Sequence, residues 1–206
     1  MESSKGIKVI LLGESGVGKT NLINVVVGKA FESNTESSSV SSFIENRFEY
    51  NNKKYLYCLW DTAGQEKFRS LNQMFIKGSK IVLIVFSIVD QYSFKQIEYW
   101  INYAKEVLGK GKYILALVAN KSDLYEDQIV SDNVIIRAAQ KYNIKYVITS
   151  ACTSADGFRL FLHELIKDYI ELIGPVAETK LNFMLSDVKA NKNKDKNKNK
   201  DIKTCC

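Results

Sequence analysis

Eight residues near the start of the chain, Gly13-Glu14-Ser15-Gly16-Val17-Gly18-Lys19-Thr20, constrain it more than any other stretch. They fit G-x-x-x-x-G-K-[ST]. Before them Ile7-Lys8-Val9-Ile10-Leu11-Leu12 reads as a short apolar strand, and after them Leu22, Ile23, Val25 and Val26 follow a helical turn pattern. In that setting the glycines let backbone N–H groups curl around phosphate oxygens, and the helix N-terminus adds partial positive charge. Lys19 reaches the outer phosphates and Thr20 offers a hydroxyl to Mg²⁺. An ordinary glycine-rich turn is the plain alternative, and the flanking elements weigh against it. The implied ligand is a nucleoside triphosphate; the loop alone names neither base nor reaction.

Two later segments supply what the loop leaves open. Tyr55-Leu56-Tyr57-Cys58-Leu59-Trp60 reads as a second apolar strand running into Asp61-Thr62-Ala63-Gly64-Gln65-Glu66. A carboxylate at a strand end beside phosphates is where Mg²⁺ needs a partner for its water shell, which makes Asp61 a candidate metal residue through water. The small residues after it let a backbone N–H approach a γ-phosphate, and Gln65 is placed to orient an attacking water. Asn120-Lys121-Ser122-Asp123 then follows the strand Tyr113-Ile114-Leu115-Ala116-Leu117-Val118-Ala119. The two oxygens of Asp123 match the N1–H and exocyclic amine of guanine, which adenine does not present in that arrangement. A site built on such hydrogen bonds rejects the wrong base by orders of magnitude. Alone the four residues are a weak signal; after the other two segments, in this order, they are a strong one.

Together these motifs resemble the Ras-like small GTPases and, within them, the Rab family. The resemblance covers about residues 5–174, and the motifs keep family order: GESGVGKT, WDTAGQE, NKSD, then Thr149-Ser150-Ala151. It implies an α/β P-loop domain, a six-stranded mostly parallel sheet with one antiparallel edge strand and helices on both faces. It implies that Ser15, Gly16, Val17, Gly18, Lys19 and Thr20 wrap the phosphates. Phe31, twelve residues after Lys19, stands where the family sets an aromatic ring against guanine. Gly64 would contact the γ-phosphate, and Gln65 would be the catalytic residue that positions water. Asn120 and Asp123 would hold the base, the stem of Lys121 would cover its face, and the N–H of Ala151, between Ser150 and Cys152, would reach the guanine oxygen.

Departures from the family pattern fall in three places. Where Rab proteins usually carry a segment like S-T-I-G-V-D-F, this chain reads Ser37-Ser38-Ser39-Val40-Ser41-Ser42-Phe43. The threonine that completes Mg²⁺ coordination is therefore Ser38 by gapless alignment. Serine keeps the hydroxyl and loses the methyl group that restricts the rotamer. Thr35, Ser37 and Ser39 stand in if the loop shifts register. The usual lysine after Ser150-Ala151 is Cys152, which removes a stem from the base pocket and leaves the backbone contact. Phe75-Ile76-Lys77-Gly78-Ser79 replaces the usual Y-Y-R-G-A.

The rest of the chain agrees with one domain. At 206 residues, with 46% hydrophobic and 25% charged, it suits a soluble globular protein with a sizeable core. It opens Met1-Glu2-Ser3-Ser4-Lys5-Gly6, unlike a signal peptide, and the apolar run 81–86 is far too short to span a bilayer. Four cysteines without a signal peptide argue against a disulfide framework; Cys58 reads as packing within a strand. Strands 43–50 and 55–60 flank Asn51-Asn52-Lys53 and should form an antiparallel hairpin. Residues 80–86 read as a buried strand and 145–150 as the last. Residues 93–108 read as one helix, with Ser93 and Gln96 as a capping box. Further helices are expected over 131–141 and 155–173, the latter burying Phe158, Phe161, Leu162, Leu165, Tyr169 and Ile173 and ending at Gly174 and Pro175. His163, the sole histidine, is expected at the surface of that helix.

Residues 175–206 read as a flexible polybasic tail. From Thr179 onward eight lysines face three aspartates, which puts five of the chain's six net positive charges there. The run 191–200 has no apolar residue and cannot build a core. It leads to Cys205-Cys206, an ending that in the Rab family is doubly geranylgeranylated; two lipid chains anchor stably where one gives marginal binding. Nucleic-acid binding is the rival use of such a tail, and the lack of interleaved aromatic residues counts against it.

The chain therefore reads as a Rab-like GTPase that binds GTP and GDP with Mg²⁺ and hydrolyses GTP slowly, since no arginine is evidently placed as an internal finger. The resemblance implies a lipid-anchored switch in vesicle trafficking, on the cytoplasmic face of an endomembrane or vesicle with a cytosolic pool. It also implies an exchange factor, a GTPase-activating protein, a prenylation escort, a dissociation inhibitor and effectors. One rival is a P-loop ATPase or nucleotide kinase, disfavoured by Asn120-Lys121-Ser122-Asp123 and by the lack of a lid insertion. The other is a weakly cycling GTP-binding interaction module with an altered effector loop.

Overall fold

The computed structural model describes residues 6–31, 42–61, 72–153 and 156–174. Within them strands and helices alternate: β1 (Ile7–Leu12), α1 (Lys19–Val26), β2 (Ser42–Tyr50), β3 (Lys53–Asp61), α2 (Asn72–Ile76), β4 (Ile81–Ser87), α3 (Gln91–Lys95), α4 (Ile97–Leu108), β5 (Ile114–Asn120), α5 (Asp132–Tyr142) and β6 (Lys145–Ile148). A last helix, α6, covers 156–174. The strands form one sheet in the order β2-β3-β1-β4-β5-β6. Neighbours pair in parallel except β2, which runs antiparallel to β3 at the edge. This is the sheet expected from the sequence. Its hairpin turns at Asn51 and Asn52, whose φ of 50° and 58° suit a two-residue turn matched to the strand twist.

The central strands explain the two-layer packing. β4 is buried at every position and β5 at all but its first, so each needs apolar side chains on both faces. Ile81, Leu83 and Val85 join Val9 and Leu11 of β1, Leu22 and Ile23 of α1, and Phe158, Leu162 and Leu165 of α6. Val82, Ile84 and Phe86 point the other way, onto Ile97, Trp100, Ile101 and Ala104 of α4 and Ile135 and Ala139 of α5. Helices thus cover both faces. Because β1, β3, β4, β5 and β6 are parallel, their carboxyl ends open on one edge, where ligands of open α/β sheets bind.

Several local expectations are corrected. The helix expected over 93–108 is two helices, and it starts earlier. Asp90 caps α3, its Oδ1 accepting from the N–H of Tyr92 at 2.9 Å and of Ser93 at 3.3 Å. Ser93 is no cap: its Oγ donates to the Asp90 carbonyl at 2.9 Å and accepts from the N–H of Ser87 at 3.1 Å. Gln96 bridges α3 to α4 without a side-chain capping bond. The short α2 was not anticipated, and β6 stops at Ile148, short of Ser150. Cys58 is fully buried in β3, as expected. α6 buries the expected Phe158, Phe161, Leu162, Leu165 and Tyr169, leaves the expected Ile173 half-buried, adds Ile166 and Ile170, and reaches Gly174 at φ 72°.

His163 is half-buried rather than freely exposed. Its ring lies 4.7 Å from that of Phe48 and 6.2 Å from that of Tyr57, so it is half-buried between α6 and the hairpin. Burial, with a smaller contribution from the Arg159 guanidinium, lowers its pKa. Tyr57 beside it is pushed up to about 12 by burial and stays neutral. A histidine whose folded pKa is depressed is held neutral, so the unfolded chain binds the proton first as pH falls. Folding stability is then lost as pH drops below the unfolded value and on through the folded one. Melting temperature should accordingly decline between about pH 7 and pH 5, and His163→Asn should flatten that slope whatever it does to the absolute value. Thermal melts at a series of pH values read this directly.

Candidate functional site

The loop after β1 is shaped by two glycines whose missing side chains leave no alternative. At Gly13, φ is 148° and a Cβ would lie 2.0 Å from the carbonyl oxygen of Val85 in β4. At Gly18, φ is 95° and a Cβ would lie 2.4 Å from the Asn120 amide nitrogen. The loop can therefore lie against β4 and β5 only with glycine at both places. Gly18 is also the N-cap of α1, so the loop runs straight into the helix N-terminus. Ser15 and Gly16 are exposed at its crest, while Val17 is buried.

Lys19 opens α1 and is almost wholly buried. Its ammonium donates to the carbonyls of Gly13 at 2.9 Å and Glu14 at 2.8 Å. The loop thus closes around its own lysine, with Thr20 half-buried beside it. Asp61, the last residue of β3, is 3% exposed, and α1 packs against β3. A hydroxyl and a carboxylate are hard oxygen donors of the kind Mg²⁺ takes, so these residues fit that ion.

Asn120, at the end of β5, links two parts of the site. Its amide Nδ2 donates to the Val17 carbonyl at 2.8 Å, and its Oδ1 accepts from the N–H of Ala151 at 3.1 Å. The side chain is 1% exposed. One residue therefore fastens the phosphate loop to the loop after β6. The Ala151 N–H, expected on a guanine oxygen, is given to Asn120 in this structure. Lys121 follows at φ 68°, a left-handed conformation rare for a side-chain-bearing residue. It turns the chain so that Ser122 N–H reaches the Thr149 carbonyl at 3.1 Å. Ser150, fully buried, then donates its hydroxyl to Oδ1 of Asp123. Its Oγ also accepts from the N–H groups of Cys152 at 2.9 Å and Thr153 at 3.1 Å. The Asp123 carboxylate is thereby held in one orientation.

Four segments far apart in sequence thus meet at the carboxyl edge of the sheet. A sequence model of the Ras family matches residues 8–171. The chain belongs to the Ras family. It is 36% identical over 168 residues to the Ras-related protein Rab-21 of Geodia cydonium, covering 82% of this chain and 72% of that one. It is 31% identical to the GTP-binding protein YPT53 of Saccharomyces cerevisiae, covering 75% and 73%. With the human Ras-related protein Rab-22A identity is 31%, covering 76% and 80%. This Ras-family protein is thus a divergent small GTPase of the Rab type, an enzyme of the class that acts on GTP.

The remaining expected site residues fall at the margins. Phe31 is 40% exposed, and the Cys152 thiol is exposed on the loop after β6. Ser38, Gly64, Gln65, Cys205 and Cys206 lie outside the described residues, as do Thr35, Ser37 and Ser39. Among the described residues no helix is long and apolar enough to cross a membrane. Sequence reasoning gave no role to Glu14 or Trp100, yet the Trp100 indole donates to Glu14 Oε1 at 3.0 Å. The one available signal was helical spacing, which sets Trp100 on the same face as Ile97, Ile101 and Ala104.

If Asn120 is the fastening, Asn120→Ala should cost about 2 to 3 kcal/mol of unfolding free energy, since two buried bonds go and their backbone partners lose them. Asn120→Asp keeps an acceptor for Ala151 but sets a buried carboxylate against the Val17 carbonyl, so it should cost at least as much as Asn120→Ala. Urea titration of the three proteins measures the order.

Proposed function

We propose that this GTPase binds GTP and GDP with Mg²⁺ in the site built from the loop 13–20, Asp61, residues 120–123 and residues 150–152, and hydrolyses GTP there. What carries the reading is the pair of bonds from Asn120 to Val17 and Ala151, beside an Asp123 carboxylate oriented by Ser150. Those contacts set a phosphate-binding loop and a guanine-matching carboxylate into a single frame.

In this reading the N–H groups of Ser15, Gly16, Val17, Gly18, Lys19 and Thr20 surround the phosphates, and the N-terminus of α1 adds its partial charge. Lys19, already aligned by two carbonyls, neutralises charge on the outer phosphates. Thr20, Ser38 and, through water, Asp61 would hold Mg²⁺, which supplies charge neutralisation when bound. Gln65 orients the attacking water and Gly64 donates to the γ-phosphate. The protein's contribution is positioning and electrostatics, with no covalent intermediate. Asp123 reads the base; Lys121 covers one face and Phe31 packs at its edge. Residues 5–174 form the folded unit. The tail 175–206 carries Cys205 and Cys206, which take two prenyl chains and hold the switch on an endomembrane in vesicle trafficking, with a cytosolic pool drawn off by a dissociation inhibitor. Its other partners are an exchange factor, a GTPase-activating protein, a prenylation escort and effectors.

Base recognition tests the reading at its centre. Asp123→Asn puts an amide where guanine needs two acceptors, so GTP and GDP affinity should fall about a hundredfold or more, with a shift toward xanthine nucleotides. Titration with fluorescent nucleotides decides it, and equal affinity of the parent protein for ATP and GTP would sink the proposal. For the anchor, removing Cys205 and Cys206 should leave nucleotide affinity unchanged and release the protein from membranes in cell fractionation. A truncated protein that still pellets with membranes would defeat the lipid assignment.

A further inference from the structure

We propose that Trp100 is a positioning residue for the phosphate loop and acts through Glu14. Its indole N–H tethers the Glu14 carboxylate, and the tether fixes the backbone carbonyl on which the Lys19 ammonium rests. The inference deepens the nucleotide site proposed above and rests on that reading.

Glu14 is an odd residue for its place. It puts a carboxylate into a loop that surrounds phosphates, and a carboxylate free to approach an anion repels it. Here that carboxylate is committed elsewhere. Its Oε1 accepts from Nε1 of Trp100 at 3.0 Å, across 86 positions of sequence. The same residue's backbone carbonyl accepts from Lys19 Nζ at 2.8 Å. Glu14 is therefore held by its side chain from α4 and engaged by its main chain with the lysine. Two hydrogen bonds on one residue, at its side chain and at its main chain, thus link the indole to the ammonium.

The donor is rigid. Trp100 is 2% exposed, on the face of α4 that also buries Ile97, Ile101 and Ala104. The rings of Tyr99 and Tyr103 flank it, with centroids 5.2 and 6.4 Å away. Packing explains why the ring is buried, but not why its N–H meets a carboxylate of the loop. The other tryptophan supplies the contrast. The indole nitrogen of Trp60 is also buried and has no hydrogen-bond partner among the described residues. Burial of an indole in this protein does not by itself bring a bond with it.

The test uses the full-length protein loaded with a fluorescent GDP analogue, whose release is followed in excess unlabelled GDP. Trp100→Phe keeps a ring in the core and removes the donor. Glu14→Ala removes the acceptor from a half-exposed loop position and leaves the core intact, so it remains readable if the tryptophan variant folds poorly. Each should speed release about tenfold, the scale of one hydrogen bond to a charged group. The double variant should be no faster than the faster single, because both changes break one interaction. Glu14→Gln, which keeps an oxygen acceptor, should stay within about twofold of the parent. Parental release rates in Trp100→Phe and Glu14→Ala would overturn the proposal. So would effects that multiply in the double variant, or a Glu14→Gln as fast as Glu14→Ala.

A second readout does not depend on nucleotide. The indole N–H resonance of Trp100, assigned by its loss in Trp100→Phe, should shift upfield and exchange faster with solvent in Glu14→Ala. An unmoved resonance means there is no tether, whatever the release rates. A parent protein that binds no guanine nucleotide would instead remove the proposed function, while the resonance still decides whether Trp100 holds Glu14.

Discussion

The amide of Asn120 is the interaction on which the site depends. A single side chain, buried at the end of a central strand, donates to the phosphate loop and accepts from the loop after β6. It adds a polar fastening to the packing of Val17 and Ala151 in one core. Loops are usually the mobile part of an α/β fold. Here the low dielectric around Asn120 strengthens both bonds and makes losing either costly. The tight fit also accounts for the glycine at position 18, since a Cβ there would collide with the same amide nitrogen.

The sheet makes this arrangement possible. β1, β3 and β5 point the same way, so Gly13, Asp61 and Asn120 all leave the sheet on one edge. The alternation of β4 side chains into two separate cores holds those strands in register, because slipping by one residue would exchange the two cores. α4 has two functions in this frame. It closes one core with Ile97, Trp100 and Ile101, and it presents an indole N–H to the phosphate loop. A helix that looks like cover on one face of the sheet is thus bonded to the loop at its carboxyl edge.

Much of this was legible from residues alone. The loop 13–20, Asp61 and residues 120–123 are local patterns, and local patterns survive without knowledge of the fold. The hairpin was legible because two asparagines adopt the left-handed conformations that a tight turn requires. The start of the α3–α4 region was not. Asp90 and Ser93 are both good cap residues three positions apart, and propensity cannot choose between them. The fold chose Asp90, because the Ser93 hydroxyl is engaged by the N–H of Ser87 at the end of β4. His163 was misjudged for a similar reason. Its helix spacing puts it beside the apolar face, and only the docking of the hairpin against α6 brings Phe48 over its ring.

The sequence by itself determined the family, the strands buried on both faces, and the residue types proposed to meet phosphate and guanine. Those properties depend on residue type and short spacing, set by backbone conformation and by periods of two and 3.6 residues. Tertiary structure alone decided how the parts are held. That Asn120 spends its amide on Val17 and Ala151, that Ser150 orients Asp123, and that Trp100 reaches Glu14 are contacts between residues distant in the chain. No local propensity encodes them. They arise because the parallel strands, once packed between two helical layers, bury the Asn120 amide, the Ser150 hydroxyl and the Trp100 indole beside groups from distant parts of the chain that can pair with them.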